Sequence, residues 1–274
     1  MTDAPKRDRP RDTFDVGEAY EPYVGRWSRL VAREFLTWLA VPPGRRWLDV
    51  GCGTGALSGT ILALAEPASV VGVDPSPSFV AYAQAQVRDP FATFMVGDAR
   101  DLPVDDADVD VVVSGLVLNF VPAAEHTTAI AEMRRVARPG GTVAAYVWDY
   151  AGEMQLMRHF WDSAAELDPL AAELDEGRRF SICNPDALMA LFRDGGLDAI
   201  EVRAIEIAIV FRDFDDYWLP FLGGQGSAPS YVGTLDAERR DALRDRIRSR
   251  LPIATDGSIS LIARAWAARG AAPS

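Results

Sequence analysis

The chain has 274 residues, of which 49% are apolar and 25% charged, and its formal net charge is −12. This composition is typical of a soluble globular protein, and the length suits one large α/β domain. The acidic excess argues against a nucleic-acid partner, because proteins that bind a polyanion usually gather Lys and Arg on one face. No apolar run is long enough to span a membrane, and two cysteines with two histidines argue against a disulfide framework or a zinc site.

The N-terminal residues are charged and rich in proline, and residues 1–16 are predicted to be a disordered tail. They lack the apolar segment of a signal peptide, so a cytoplasmic location is expected. A helix is predicted over Tyr20–Leu39, where apolar residues recur at three- and four-residue spacing, and Pro42-Pro43-Gly44 ends it.

Short strands and helices then alternate as far as Trp148. The predicted strands are Trp47–Val50, Ser69–Val73, Ala92–Val96, Asp110–Val117 and Thr142–Trp148, and the helices between them are Ala56–Ala65, Ser78–Val87 and Ala124–Ala137. Such an alternation predicts βαβ units with right-handed crossovers, and hence a parallel sheet with helices on both faces.

After Trp148 the pattern is looser. Helices are predicted at Met154–Leu167, Pro185–Phe192 and Leu235–Leu251, and strands at Asp198–Phe211 and Ser258–Ala268. The segment Phe211–Tyr231 is rich in aromatic residues and glycine. It is interpreted either as a mobile lid over an apolar acceptor or as a satellite hydrophobic cluster.

The most informative segment is the glycine loop that follows the first strand, Asp49-Val50-Gly51-Cys52-Gly53-Thr54-Gly55. Its glycines allow a sharp turn and a close approach to a ligand, and the next helix would direct its free N–H groups at that ligand. The spacing G-x-G-x-G is neither the dinucleotide pattern G-x-G-x-x-G nor a phosphate-binding loop with its Lys. Cys52 is interpreted as a packing residue of this loop and not as a nucleophile.

Two acids follow the next two strands. Asp74 lies about 20 residues after the loop, where a carboxylate can accept hydrogen bonds from both ribose hydroxyls. Asp98 follows the third strand, where a carboxylate can accept from an adenine amino group. The alternatives are a capping Asp before Pro75 and a surface Asp in an acidic run. The remaining acids of the run that ends at Asp110 are interpreted as a solvated face.

Five segments together resemble class I S-adenosylmethionine-dependent methyltransferases, in particular the ubiquinone/menaquinone type (methyltransferase type 11) that acts on small molecules. They are Trp47–Gly55, Val71–Pro75, Val96–Ala99, Asp108–Leu118 and Arg138–Gly141. The resemblance implies a Rossmann-like, doubly wound α/β fold of seven strands, mostly parallel with a final antiparallel strand, plus a helical cap. Residues 17–274 would then be a single domain, in which 17–148 bind the cofactor and 149–197 and 212–256 are substrate-side cap segments.

The resemblance also implies S-adenosylmethionine as the cofactor. The residues that it assigns to the cofactor site are Tyr23, Arg26, Asp49, Gly51, Cys52, Gly53, Gly55, Asp74, Pro75, Asp98, Ala99, Leu116 and Asn119. The glycines would contact the methionine part, Asp74 the ribose, and Asp98 and Ala99 the adenine. Residues 116–120 would flank the methyl group, while Tyr23 and Arg26 would close the methionine end.

The expected reaction is methyl transfer to a small-molecule acceptor through an oxygen, nitrogen or carbon atom. The alternatives are an RNA or protein methyltransferase and a relative that binds the cofactor without transferring its methyl group. Such a transfer asks the protein mainly for orientation, exclusion of water and sometimes a base. His159 is the candidate base, with a packing or surface His as the alternative. Residues 118–121 lack the [DNS]-P-P-[YF] motif of amino-methylating DNA enzymes.

Overall fold

A computed structural model describes residues 25–223 and 226–274. The predicted tail 1–16, the beginning of the predicted first helix at Tyr20, and Tyr23 lie outside the described residues.

One seven-stranded sheet forms the centre of the described chain. Its strands are β1 Arg46–Val50, β2 Ser69–Asp74, β3 Ala92–Val96, β4 Val109–Gly115, β5 Ala137–Trp148, β6 Asp198–Phe211 and β7 Ile259–Ala271. Their order is β3-β2-β1-β4-β5-β7-β6. β7 runs antiparallel to β5 and β6, and the other neighbours are parallel. The predicted doubly wound sheet with a final antiparallel strand is thereby confirmed.

Helices pack on the sheet and on one another. They are α1 Arg26–Leu39, α2 Ala56–Leu64, α3 Pro77–Gln86, α4 His126–Val136, α5 Gln155–Leu167, α6 Glu176–Arg179, α7 Pro185–Asp194, α8 Phe214–Trp218, α9 Ser227–Gly233 and α10 Ala237–Arg250. α1 contacts α2 and β6, whereas α5 contacts β7 and α10. Local sequence determines where helices begin. At α3, for example, the Ser76 hydroxyl accepts a hydrogen bond from the Phe79 N–H, and Pro77 occupies the first turn.

The strand order reverses between β1 and β4, which places a topological switch point at their carboxyl ends. β1 pairs with β2 on one side and with β4 on the other. Ligands of doubly wound sheets bind outside the carboxyl ends of the strands at such a point. The glycine loop after β1 and the turn after β4 therefore lie where a ligand is expected.

The segment Arg138–Gly141 corrects one boundary, because it lies inside the range of β5 and not in a turn after a helix. Val109 pairs with Ala137 and Val111 with Thr142, so residues 138–141 bulge opposite the single residue Asp110. The Asp110 carboxylate accepts from the Arg46 N–H at 2.7 Å and pairs with Arg138 at 2.5 Å. The expectation that the acidic run forms a solvated face is thus wrong for Asp110, which is buried.

The aromatic segment after β6 belongs to the main hydrophobic core. Its buried rings are Phe211, Phe214, Tyr217, Trp218, Phe221 and Tyr231. Phe221 stacks on Phe160 of α5 with ring centroids 4.6 Å apart and planes at 13°. The Tyr217 hydroxyl donates to the Leu156 carbonyl at 2.8 Å. The satellite-cluster interpretation is therefore wrong, whereas movement of the segment as a lid stays a prediction.

We expect Phe221→Ala to lower the free energy of unfolding by about 3–5 kcal/mol, because it removes a fully buried ring and leaves a cavity against Phe160. Urea unfolding followed by tryptophan fluorescence measures the change. Leu219→Ala is the matched control, since Leu219 is 58% exposed in the same segment, and a change within about 0.5 kcal/mol is expected. Equal losses in the two variants would contradict the assignment of this segment to the core.

Candidate functional site

The glycine loop is fastened to the end of β2 by its own backbone. The N–H groups of Gly51 and Cys52 both donate to the Val73 carbonyl oxygen, at 2.7 and 3.0 Å. Gly51, Gly53 and Gly55 have φ values of +74°, +51° and +83°. This left-handed backbone favours glycine, because the Cβ of any other residue would come too close to the neighbouring backbone. The loop therefore turns sharply out of β1 and ends at the beginning of α2.

Gly51 and Gly53 differ in what lies beside them. A Cβ at Gly51 would meet the two Cγ atoms of Val117 at 2.5 Å, whereas a Cβ at Gly53 would have nothing within 4 Å. Gly51 thus lets the loop pack directly on the chain after β4. The backbone at Gly53 instead faces open space, where a ligand can approach it closely.

Asp74 organises the loop from the end of β2. Its Oδ2 accepts from the Gly53 N–H at 3.0 Å and its Oδ1 from the Ser76 N–H at 2.9 Å. The residue is buried, and burial raises the pKa of its carboxyl although both N–H groups oppose this. Each oxygen has a second lone pair, so Asp74 can still accept from hydroxyl groups of a ligand. Its contact with ribose stays a prediction.

Asp49, near the end of β1, is fully buried beneath the loop. Its Oδ2 accepts from the Ser58 hydroxyl at 2.6 Å, while its Oδ1 has no partner among the described residues. Burial raises the pKa of Asp49 to about 7, with the negative charge of Asp74 adding to the shift and Ser58 opposing it. A buried carboxyl with one unpartnered oxygen is stabilised as an anion only by a cation or a donor.

The chain after β4 forms the other wall of the loop. The Ser114 hydroxyl donates to the Val50 carbonyl at 2.9 Å, which joins β4 to the end of β1. Leu116 has a φ of +63°, an uncommon value for a residue with a branched side chain. Asn119 is buried, and its Nδ2 has no partner among the described residues. The end of β4 therefore holds a strained backbone position and an unused donor, as functional sites often do.

The predicted adenine contacts lie after β3. Asp98 is half-buried and binds the guanidinium of Arg100, which lowers the pKa of Asp98, and Arg100 also bonds to Glu125. Ala99 packs partly against the core, whereas Pro75 is exposed. An adenine amine at Asp98 would share the carboxylate with Arg100. The roles of Asp98, Ala99 and Pro75 stay predictions.

Arg26 at the beginning of α1 already has an anionic partner. Its Nη1 pairs with Asp216 Oδ1 at 2.9 Å, and its guanidinium lies 4.4 Å from the Trp27 ring centroid and 4.8 Å from that of Phe211. This cluster joins α1 to the segment after β6. A cofactor carboxylate at Arg26 would compete with Asp216 for the guanidinium. The contact of Arg26 with the cofactor stays a prediction.

Cys52 is a packing residue, as the sequence indicates. Its side chain is buried with Val80, Ala83 and Phe94, and burial raises the pKa of its thiol. A thiol that resists ionisation is a poor nucleophile. The backbone of Cys52, and not its sulfur, is the part that serves the loop.

His159 belongs to α5, far from the glycine loop in the sequence. It lines a cleft of about 620 Å³ whose walls include residues just after β5. Arg158, Asp162 and Arg250 also line this cleft. Burial and the charge of Arg250 lower the pKa of His159, while Asp162 raises it. A neutral imidazole can accept a proton at pH 7, but the base role of His159 stays a prediction.

Sequence reasoning missed two contacts of this site. Val117 seals Gly51, and Ser58 holds Asp49 from the first turns of α2. The second contact could have been suggested by the sequence, because Ser58 lies in the helix that directly follows the strand and loop carrying Asp49. No group of three or more potential metal ligands occurs among the described residues. No helix in the described ranges is long and apolar enough to cross a membrane.

We expect Gly51→Ala to lower the free energy of unfolding by about 2–4 kcal/mol, because a methyl group there adds a clash with Val117 to the strain of a positive φ. Gly53→Ala keeps the strain without the clash and should cost about 1–2 kcal/mol. Urea unfolding measures both. The double variant Gly51→Ala/Val117→Ala should recover part of the loss, and no recovery would contradict the assigned contact.

Asp49 gives the unliganded protein a specific pH dependence. Between the unfolded pKa of about 3.9 and the folded pKa of about 7, the folded state holds one more proton, so the free energy of unfolding falls as pH rises. Asp49→Asn removes this slope. We expect the stability of the wild type, relative to the variant, to fall by about 2–3 kcal/mol from pH 5 to pH 7.5 in urea unfolding. Asp108→Asn is the exposed control, and a pH-independent difference for Asp49→Asn would contradict the assignment.

Comparison with known proteins finds a family model that matches part of the chain. Residues 48–145 match a family model described as a methyltransferase domain. An uncharacterized methyltransferase of Mycobacterium tuberculosis, Rv3342, is 36% identical over 142 residues, which cover 51% of this chain and 55% of the relative. Another from Synechocystis, sll0829, is 36% identical over 106 residues, which cover 39% and 48%. The chain thus spans about half the length of these curated relatives.

Solved structures show the same fold. A phosphoethanolamine N-methyltransferase 2 of Haemonchus contortus, in complex with phosphomonomethylethanolamine and S-adenosylhomocysteine, aligns with a TM-score of 0.61 and 18% identity over 96% of this chain and 59% of that one. The YcgJ protein of Bacillus subtilis aligns with a TM-score of 0.59 and 17% identity over 89% and 99%. Residues 48–145 are thus similar in sequence to a methyltransferase domain, and the described chain has the fold of these solved structures.

Proposed function

We propose that this chain is an enzyme that transfers a methyl group from S-adenosylmethionine to a small-molecule acceptor by in-line displacement. The observation that carries the proposal is a set of buried polar atoms around an open loop. An unpartnered carboxylate oxygen of Asp49, the acceptor Asp74 and the unused donor of Asn119 lie at the ends of three neighbouring strands.

These residues fit the chemical groups of the cofactor. Its methionine part carries an ammonium and a carboxylate, and its sulfur is a cationic sulfonium. Two buried carboxyls, Asp49 and Asp74, favour a cation near the loop, because they have no cationic partner in the described chain. Asp74 can also accept from ribose hydroxyls, and the open face of Gly53 allows close approach.

When bound, the cofactor supplies an electrophilic methyl carbon, which an acceptor atom attacks as the carbon–sulfur bond breaks. The residues of the chain orient the two reactants and exclude water. The backbone from Gly51 to Gly55 is rigidly fastened at Val73, so it can hold a ligand in one position. The half-buried imidazole of His159 is the proposed acceptor of a proton from an oxygen or nitrogen nucleophile.

The cap segments favour a small acceptor. Residues 149–197 and 212–256 contribute many buried side chains to the main core. The cleft after β5 has a volume of about 620 Å³, within the roughly 300–1,000 Å³ typical of small-molecule sites. The net charge of −12 disfavours RNA, the polyanionic alternative.

We expect Asp74→Ala to weaken binding of S-adenosylhomocysteine by about 1–3 kcal/mol, or about 5–150-fold, because it removes charged hydrogen-bond acceptors. Asp74→Asn, which keeps one acceptor oxygen, should lose less. Isothermal titration calorimetry measures both variants, with Asp108→Ala as the control at an exposed carboxylate. An unchanged affinity in Asp74→Ala would remove Asp74 from the site.

Labelling of a cell lysate with methyl-labelled cofactor, followed by separation by size, tests the acceptor. The proposal predicts label in the low-molecular-mass fraction that depends on added protein. Label in RNA or protein would support the macromolecular alternative. Binding of the cofactor with no labelled product would support a relative that binds without transferring the methyl group.

A further inference from the structure

A polar cleft opens along one face of α5, beside the residues that follow β5. Gln155, His159 and Asp162 recur on α5 at four- and three-residue spacing, so they share one side of the helix. The buried residues of α5, such as Phe160, lie on the other side. The polar residues that line the cleft are Glu153, Gln155, Arg158, His159, Asp162 and Arg250. The cleft therefore has polar walls, although α5 itself is anchored in the hydrophobic core.

The walls of this cleft offer no broad apolar surface. The other described residues that line it are Ala151 and Gly152, so no Phe, Tyr or Trp of the described chain contributes to its walls. The rings of the segment 211–231 are buried in the main core instead. A flat apolar ligand would find little to pack on here, and hydrogen bonds must supply most of the recognition.

The charged groups of the cleft already face opposite charges. Arg158 Nη2 pairs with the buried Asp175 at 2.5 Å, and Arg250 Nη1 pairs with Glu166 at 2.6 Å. Asp162 Oδ1 in turn lies 3.8 Å from Arg158 Nη1. An anionic or cationic ligand would have to compete with these partners, so the net attraction for either is small. The walls are therefore suited to a ligand without charge.

Donors and acceptors remain available along the same walls. The His159 ring has no hydrogen-bond partner among the described residues. Burial and Arg250 lower its pKa, so at pH 7 it is a neutral group with one donor and one acceptor nitrogen. The buried Nε of Arg158 has no partner in the described chain, and the Asp162 side chain is 52% exposed. Hydroxyl groups, which both donate and accept, match walls of this mixed kind.

Gln155 is fixed between β7 and the loop after β5. Its Oε1 accepts from the Ile262 N–H at 2.8 Å, and its Nε2 donates to Glu153 at 2.9 Å. The second hydrogen of this Nε2 group has no partner among the described residues. A donor held in one orientation favours a ligand oxygen at one place in the cleft, because little side-chain ordering is needed on binding.

We propose that this cleft binds the methyl acceptor through several uncharged hydroxyl groups, so that the acceptor is a neutral polyhydroxylated molecule, a sugar or a cyclitol. The inference rests on the proposed function, because it names the acceptor of that reaction. His159 takes the proton of one hydroxyl group while its oxygen forms a bond to the methyl carbon. The carbon–sulfur bond breaks, its electron pair stays on the sulfur, and the product is a methyl ether.

Histidine ring NMR on the full chain tests the binding step, because the chain has only two histidines, His126 and His159. The variant His126→Gln assigns the two ring signals. The neutral probes are the methyl glycosides of glucose, galactose, mannose and rhamnose, together with myo-inositol. The matched probes are cyclohexanol, phenol and gluconate, which supply a single hydroxyl group, an aromatic ring and a negative charge.

We expect at least one neutral polyol to shift the His159 signal in a saturable way and to leave the His126 signal unchanged. The matched probes should bind at least about fivefold more weakly, because each lacks either the several hydroxyl groups or the neutrality that the walls favour. Binding of a glycoside alone, or of myo-inositol alone, supports the proposal and identifies the acceptor as a sugar or as a cyclitol. No saturable shift with any neutral polyol, or equal binding of all probes, would overturn it.

Asp162→Ala removes an exposed acceptor from the cleft and should weaken binding of the best polyol at least about fivefold. Asp194→Ala is the control, because the Asp194 side chain is 63% exposed on α7 and does not line the cleft. Unchanged polyol affinity in Asp162→Ala, with an unchanged melting temperature, would overturn the proposal. If the variant unfolds, the ranking of the probes on the wild type still decides.

Calorimetry with S-adenosylhomocysteine, in the absence of any polyol, separates this proposal from the proposed function. Binding of S-adenosylhomocysteine, together with a labelled methyl ether formed from the bound polyol and methyl-labelled cofactor, supports both. Binding of S-adenosylhomocysteine without saturable polyol binding, or polyol binding without a methyl ether, overturns the inference about the acceptor alone. Absence of S-adenosylhomocysteine binding overturns the proposed function, and with it the role of any bound polyol as the acceptor.

Discussion

The candidate site depends on the convergence of two backbone N–H groups, those of Gly51 and Cys52, on the carbonyl oxygen of Val73. This arrangement forces a left-handed turn at Gly51, which only a residue without Cβ can make against Val117. The turn brings the Gly53 N–H to the carboxylate of Asp74. The ends of β1, β2 and β4 are thereby locked together, and the loop between them keeps one open face.

The close packing of these strand ends also buries two carboxyls, those of Asp49 and Asp74. Asp49 and Asp74 repel each other, and burial disfavours the charge of both. Charging both carboxyls therefore costs free energy at this edge of the sheet. A ligand with a positive charge would relieve this cost, which is a physical reason for the site to prefer a cationic cofactor over a neutral one.

The core of the fold could be predicted from the sequence because its determinants are local. Apolar runs such as Val111–Val113 and the glycines after β1 indicate strands and a turn without knowledge of their partners. The partners themselves could not be predicted. Arg26 and Asp216 lie 190 positions apart, so their ion pair exists only once α1 and the segment after β6 have folded together. Asp110 likewise belongs to an acidic run in the sequence and is buried only because Arg46 and Arg138 meet it in the sheet.

A crystal structure of the chain with S-adenosylhomocysteine is the sharpest test of the proposed site. We expect the amino-acid part of the ligand to lie along Gly51–Gly55, with its ammonium toward Asp49, its ribose hydroxyls on Asp74 and its sulfur beside residues 116–120. A ligand bound elsewhere, or a ribose that makes no contact with Asp74, would rule out the proposed site.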